Sequence, residues 1–264
     1  MPLADERTVN SVVIHNASSA AFVSDIHLSS DDPETEAMFF GFLRSLGRRR
    51  PDCLFILGDL FEYWAGDDGL DEPLAARVIE QLRLLGAMGI ALYFVAGNRD
   101  FLIGGGFARA SGVSILADPT LVELGTRTFL ISHGDTLCTD DRSYQEFRAM
   151  VRSPRWQKAF LAKSLSERRE LIGQFRNASD LAKKDKSHVI MDVNEHAVME
   201  LFRSTNQAVL IHGHTHRPAC HDFEVDGFTY ERWVLPDWDA HAAPPHGGGV
   251  YLDATGFVSL AVVA

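Results

Sequence analysis

Short apolar runs of strand length punctuate the chain at Ala20-Ala21-Phe22-Val23, Phe55-Ile56-Leu57, Ile90-Ala91-Leu92-Tyr93-Phe94-Val95 and Ala208-Val209-Leu210-Ile211. An unbroken apolar run bounded by small or polar residues predicts a strand covered on both faces. Between these runs the apolar positions shift to helical spacing. Residues 34–46 carry Phe39, Phe40, Phe42, Leu43 and Leu46, with Arg48-Arg49-Arg50 at the negative end of the helix dipole, and residues 73–85 repeat the pattern. A short helix is predicted near residues 107–110, and 121–124 with 128–131 read as a hairpin-like pair of strands. The segment up to about residue 16 is polar except for an edge-strand patch at Val12-Val13-Ile14. A loop with Pro236, Pro244, Pro245 and Gly247-Gly248-Gly249 precedes a final strand at Val250-Tyr251-Leu252. Strands alternating with helices give an α/β class, and the β-rich C-terminal stretch is expected to form a second sheet packed on the first.

Between His133 and Ala208 the character changes. Phe147, Met150, Trp156, Phe160, Leu161, Leu171, Ile172 and Phe175 interleave with Arg148, Arg152, Arg155, Lys158, Arg168, Arg169 and Arg176. The pattern is amphipathic helix, and it is basic in an acidic protein. A helical hairpin with a solvated positive face would look the same. Long insertions in compact domains tend to be functional, however, and this one lies between two strand ends that carry candidate ligands, which argues for a lid.

The 264 residues are 46% hydrophobic and 23% charged, the balance of a soluble globular protein with ample core. A formal charge of -11 disfavours broad capture of nucleic acid, so an anionic substrate must meet a local positive site. Cys53, Cys138 and Cys220 form no C-x-x-C pair, which fits a reducing compartment. Asp5, Glu6 and Arg7 precede no long apolar run and no stretch approaches membrane-span length; a cytosolic protein is expected, with attachment to a bilayer surface left open.

The strand ends carry the chemistry. Asp25-x-His27, Gly58-Asp59, Gly97-Asn98, His133 and His214-x-His216 each follow an apolar run, and in open α/β sheets ligands gather beyond the carboxyl ends of strands. An Asp after Gly is by itself more often a turn former or helix cap, but five such ends in order are specific. Carboxylate, amide and imidazole donors without thiolates suit divalent ions such as Mn²⁺, Zn²⁺ or Fe²⁺. There are too many donors for one ion. A shared carboxylate would hold two ions about 3.5–4 Å apart, the spacing used in two-metal phosphate hydrolysis.

These blocks resemble the calcineurin-like metallophosphoesterases, whose signature is Asp-x-His, Gly-Asp, Gly-Asn-His, a single His and Gly-His-x-His, over residues 22–218. The resemblance implies a four-layer α/β sandwich, two β-sheets flanked by helices, forming a single domain over 1–264 with a helical lid insertion at about 140–205. It also implies two divalent ions, one held by Asp25, His27, Asp59 and His216 and the other by Asp59, Asn98, His133 and His214. One departure is informative. Where the wider family has Gly-Asn-His, this chain has Gly97-Asn98-Arg99-Asp100. The His commonly protonates an alkoxide leaving group; Arg99, a permanently charged guanidinium, cannot, and a fixed cation instead suits two neighbouring phosphates.

The blocks at 57–62, 97–102, 133–141, 190–194 and 211–218 are most similar to one subgroup, Mn²⁺-dependent enzymes of lipid A synthesis. That similarity implies water attack on the phosphate next to uridine in UDP-2,3-diacylglucosamine, releasing UMP and 2,3-diacylglucosamine 1-phosphate. Another dimetal phosphodiesterase or nucleotide pyrophosphatase of the superfamily is the alternative. Implied catalytic roles fall on Asp59, Asn98, Arg99 and His214. Implied substrate contacts fall on Asn98, Arg99, Asp141, Ser179, Lys183, Lys186 and His214, with Lys183 standing where a relative has Asn. The implied setting is a monomer in peripheral contact with the cytoplasmic face of the inner membrane. Apolar side chains between Phe147 and Phe175, Trp156 and Phe160 among them, are then expected to form a groove for two acyl chains, while Arg and Lys face lipid phosphates.

Other polar residues read as structural. His212 is expected to point away from the ions by strand alternation. His15, His188, His196, His221, His241 and His246 lack partner spacing, Asp31-Asp32 and Asp67-Asp68 suit solvated loops, and Trp233 and Trp238 suit packing. Asp135 is expected either to orient His133 or to cap its loop.

Overall fold

A strand apolar on both faces needs a layer against each, and the computed structural model, which describes residues 9–184, 192–225 and 227–261, supplies both. The first half of the chain runs β1 (Asn10–Ile14), β2 (Ala20–Val23), α1 (Pro33–Arg49), β3 (Cys53–Leu57), α2 (Pro73–Ala87), β4 (Ala91–Val95), α3 (Gly105–Ser111), β5 (Ser114–Leu116), β6 (Thr120–Leu124) and β7 (Arg127–Ile131). Four helices follow, α4 (Arg142–Val151), α5 (Pro154–Leu161), α6 (Leu165–Lys184) and α7 (Glu195–Thr205). The chain closes with β8 (Val209–His212), β9 (Ala219–Val225), β10 (Phe228–Val234), β11 (Gly248–Asp253) and β12 (Gly256–Ala261).

Two six-stranded mixed sheets result, in the orders β1-β6-β7-β8-β10-β9 and β12-β11-β2-β3-β4-β5. The C-terminal strands do not make a sheet of their own, as the sequence suggested. They divide, β9 and β10 extending the sheet beside β8 while β11 pairs antiparallel with β2. An unpaired edge of β2 would leave a row of buried backbone groups without partners, and β11 covers it. The short edge strand β5 went unpredicted because three residues are too few to show a period.

Aromatic rings fill the space between the sheets. Phe55 stacks on Phe22 at 5.1 Å and on Tyr93 at 4.8 Å, and Phe129 meets Phe22 edge-on across the sheets at 5.5 Å. On the outer face of the β2-β3-β4 layer, α1 and α2 bury Phe39, Leu43, Leu46, Val78 and Leu82 against Val23, Leu54, Ile56 and Phe94. On the other outer face, α7 packs Val198 and Phe202 against Leu130 and Leu210. The layers are therefore helix, sheet, sheet, helix.

Asp67 is part of this frame. Its carboxylate accepts from Trp64 Nε1 at 3.1 Å, Gly104 N at 3.1 Å, Gly106 N at 2.7 Å and Phe107 N at 3.1 Å, pinning α3 to the loop before α2. Hydrogen bonds to a charged acceptor are worth about 1.5–3 kcal/mol each, and stranding buried donors adds to the loss. Asp67→Ala is therefore expected to cost about 3 kcal/mol or more in urea denaturation; a change below about 1 kcal/mol would show that these bonds are dispensable.

Candidate metal centre

Strands β2, β3 and β4 run parallel, and each ends in a loop that carries donors: Asp25 and His27, Asp59, and Asn98. From the other sheet come His133 after β7 and His214 and His216 after β8. The loops are zipped together past the strand ends. Asp25 N donates to Gly58 O at 3.1 Å, His27 N to Asp59 O at 2.9 Å, and Gly213 N to His133 O at 2.9 Å. Asp25, His27, Asp59, His214 and His216 have φ between 52° and 69°. Left-handed backbone costs a non-glycine residue about 1–3 kcal/mol, and it persists here because each such turn aims a side chain inward.

All seven side chains converge, in two groups with Asp59 between them. Asp59 Oδ2 lies 3.8 Å from His27 Nε2, and Oδ1 lies 3.8 Å from His133 Nε2. On the first side, His27 Nε2 and His216 Nε2 are 3.4 Å apart, with Asp25 Oδ1 3.4 Å from the latter and 4.0 Å from the former. On the second, Asn98 Oδ1 sits 2.9 Å from His133 Nε2 and 2.8 Å from His214 Nδ1.

The electrostatics fit cations. Asp25, Asp59 and His133 are all buried, and Asp25 Oδ1 is left without a hydrogen bond. Burial works to raise the Asp25 carboxyl, but His216, His133 and His27 outweigh it and hold the group below the usual carboxylate range. Burial likewise works against charge on His133, yet Asp59, Asp135 and Asp25 push it up to about 9. Burial and then the His133 charge push His214 down to about 4, leaving a neutral ring with a lone pair to give. A buried pocket that draws positive charge onto a histidine, and whose free oxygen and nitrogen donors face one another, fits two divalent ions.

A surrounding shell aims the donors. His27 Nδ1 is 3.0 Å from Glu62, His216 Nδ1 is 3.5 Å from Asp237, and His133 Nδ1 is 2.9 Å from Leu57 O. Each ring thereby presents its other nitrogen to the cluster. Asp25 Oδ2 accepts from Ser24 Oγ at 2.6 Å and His214 N at 2.8 Å. Asp100, fully buried, accepts from Gly97 N at 2.9 Å, Asp59 N at 3.2 Å and Leu60 N at 2.7 Å, tying the Asn98 loop to Asp59; burial and then the Asp59 charge raise its pKa to about 6. The two loops approach so closely that a Cβ at Gly97 would strike the Asp59 carboxylate.

Glu62 has further partners, with Arg99 Nη1 at 3.7 Å and Arg176 Nη2 at 2.7 Å. Sequence reasoning gave Glu62, Asp100 and Asp237 no role. Glu62→Gln is expected to lower metal affinity or kcat/KM about 10–100-fold, the usual cost of losing such a partner, as read by metal titration of the variant. Unchanged metal binding and turnover would remove Glu62 from the site.

The basic insertion is bound to these loops. Arg152 Nη2 donates to Gly97 O at 2.9 Å and Ala96 O at 3.2 Å, with its guanidinium 5.3 Å from the Phe101 ring. Arg168, 1% exposed, donates to Ala65 O and pairs with Asp68. Asp135 neither bonds the His133 ring nor acts as a simple cap: its Oδ2 accepts from Tyr144 Oη and Arg148 Nε, both at 2.7 Å, which anchors α4, while the Tyr144 ring stacks 5.8 Å from His214. Trp156 stacks on Phe160 at 4.6 Å. Phe160 is only 4% exposed and belongs to the core, so it is not an open groove wall as expected; Met150 and Leu161, at 47% and 44%, are the exposed apolar side chains there.

The structure places the remaining predicted residues as follows. Arg99 N donates to Asp59 Oδ1 at 2.8 Å, and the Arg99 guanidinium lies 3.7 Å from Glu62, which also faces His27. Asp141 caps α4, accepting from Tyr144 N at 3.1 Å. Lys186 and the side chains of Ser179 and Lys183 lie outside the described residues. His212 stays out of the cluster, but alternation is not the reason, since strand residues two apart share a face. The chain leaves strand geometry after His212, whose ring is held by Gly213 O and Arg232.

Fold and site together define a dimetal phosphoesterase. The chain belongs to the calcineurin-like phosphoesterase family, whose model matches residues 19–218. Among curated proteins it is 51% identical over 220 residues to the UDP-2,3-diacylglucosamine hydrolase of Aromatoleum aromaticum, covering 83% of this chain and 89% of that one. It is 47% identical over 236 residues to the protein of that name from Bordetella pertussis, covering 88% and 91%, and 46% identical over 240 residues to that of Chromobacterium violaceum, covering 90% and 97%.

Proposed function

We propose that this protein hydrolyses the pyrophosphate of UDP-2,3-diacylglucosamine in lipid A synthesis, releasing UMP and 2,3-diacylglucosamine 1-phosphate by water attack on the phosphate next to uridine. The observation that carries the reading is the pair of donor clusters sharing Asp59, with the Arg99 guanidinium held beside them. The names of the relatives at 46–51% identity support it.

Asp25, His27, Asp59 and His216 would hold one ion and Asp59, Asn98, His133 and His214 the other, with Mn²⁺ as the proposed metal. When bound, the ions supply Lewis acidity at phosphate oxygens and lower the pKa of water. The chain's own groups do the rest. Asp59 sets the spacing of the two clusters, and neutral His214 offers a lone pair while Asn98 Oδ1 faces both His133 and His214. Arg99 stabilises negative charge on two neighbouring phosphates, so the leaving group departs as a phosphate without needing a proton. Asp141, Ser179, Lys183 and Lys186 are assigned to the sugar and phosphate of the substrate.

The helical insertion is proposed as a lid, and its exposed Met150 and Leu161 among basic residues support peripheral contact with the cytoplasmic face of the inner membrane. Among the described residues no helix is long and apolar enough to cross a membrane. A monomer that binds no nucleic acid is the proposed state. Turnover of UDP-2,3-diacylglucosamine in H₂¹⁸O tests the reaction. The label is expected in UMP, only when divalent ions are present; label in the lipid phosphate, or no UMP from protein loaded with Mn²⁺, would contradict it.

A further inference from the structure

Beside the metal-ligand loop lies a cavity of about 260 Å³. Pro218, Ala219 and Val234 give it apolar walls, and Arg232, Thr215 and Asp192 give it polar groups. Its size falls just below the range of drug-sized pockets, about 300–1,000 Å³, and suits a single small ring. Arg232 reaches it from β10 and is only 7% exposed, yet it pairs with no carboxylate among the described residues. Its Nη1 is held 3.2 Å from His212 Nε2, a nitrogen free to accept because His212 Nδ1 donates to Gly213 O at 2.8 Å. Thr215 stands between His214 and His216, and its buried Oγ1 has no hydrogen-bond partner. Asp192 lies near enough to act on the Arg232 charge but is itself paired with Arg217, so a buried guanidinium with no carboxylate in direct contact and an orphaned hydroxyl, both lining one small cavity, are groups with room for further acceptors.

Uracil presents one edge on which two carbonyl oxygens flank an N–H. We propose that this cavity is the subsite for the uracil ring of a uridine nucleotide, its carbonyl oxygens accepting from Arg232 and Thr215 and its imide N–H donating to the Asp192 carboxylate. Pro218 and Val234 contact the ring. The inference rests on the reaction proposed above, because Thr215, which lines the cavity, lies between the ligands His214 and His216 proposed for the metal centre. Cytosine lacks the second carbonyl and the imide N–H, so the edge also selects between pyrimidines.

Calorimetric titration of the full-length, Mn²⁺-loaded protein with UMP, CMP and ribose 5-phosphate tests the subsite. The wild type is expected to bind UMP at least about tenfold tighter than either competitor, and Arg232→Lys and Ala219→Phe to shrink that preference to about threefold or less. Ribose 5-phosphate, which lacks the base, reports in each variant whether the metal centre is folded, and if one variant fails this control the other decides. Wild-type protein that binds UMP and ribose 5-phosphate alike, or folded variants that keep the full preference, would overturn the subsite whatever the outcome with UDP-2,3-diacylglucosamine. Preference for UMP that depends on Arg232 in protein that does not cleave the lipid would uphold the subsite and overturn the reaction.

Discussion

Asp59→Ala is expected to lower kcat/KM on UDP-2,3-diacylglucosamine by about 10³-fold or more. The carboxylate faces both clusters, its two oxygens each 3.8 Å from a histidine nitrogen, one in each cluster. Lewis-acid stabilisation is worth several kcal/mol and each 1.36 kcal/mol is about tenfold in rate, so disabling both ions at once reaches that magnitude. Asp59 N and Leu60 N would still be held by Asp100, which keeps the loop in place and makes the loss one of chemistry, not of folding. Steady-state kinetics on the variant, with its melting temperature as control, reads the effect; a loss under about tenfold would show that Asp59 is not shared.

Arg99→Ala carries the next largest effect. The side chain is held near Glu62, while its backbone N–H donates to Asp59 and is untouched by substitution, so the metal ligands keep their geometry. Removing one preorganised charge-stabilising donor costs about 10²–10³-fold in kcat. That loss is expected on the pyrophosphate substrate, with a smaller one on bis(p-nitrophenyl) phosphate, which has a single phosphate and a leaving group that needs no cation. Arg99→His, restoring the wider family's residue, is expected to leave the pyrophosphate activity depressed. If Arg99→His hydrolyses the pyrophosphate as fast as wild type, the role given to the arginine is wrong.

The metal donors were legible because parallel strands deliver their carboxyl ends to one edge, so the residues just past each apolar run had to meet. What the apolar pattern does not reveal is how those residues are aimed. Glu62 and Asp237 act on histidine rings from loops far apart in the chain, and Asp100 acts on backbone N–H groups, which no side-chain pattern records. Alternation failed for His212 because it holds only while the chain stays extended, and His214 has already turned to φ 69°. The C-terminal strands were misallocated for a similar reason: which edge a strand joins depends on which edge is open, a property of the assembled sheet. Phe160 looked like a groove residue because an amphipathic helix has an apolar face, but the helix itself does not say whether lipid or core receives it. The cavity beside Thr215 draws on the loop after β8, on β9 and β10 and on Asp192 in the segment before α7, and it had no signature along the chain.

The most direct test of the shared-aspartate centre is a metal count by plasma mass spectrometry on protein loaded with Mn²⁺ and freed of excess. The account predicts about two ions per chain in the wild type and loss of both in Asp59→Ala. One ion per wild-type chain, or two that survive in Asp59→Ala, would contradict it.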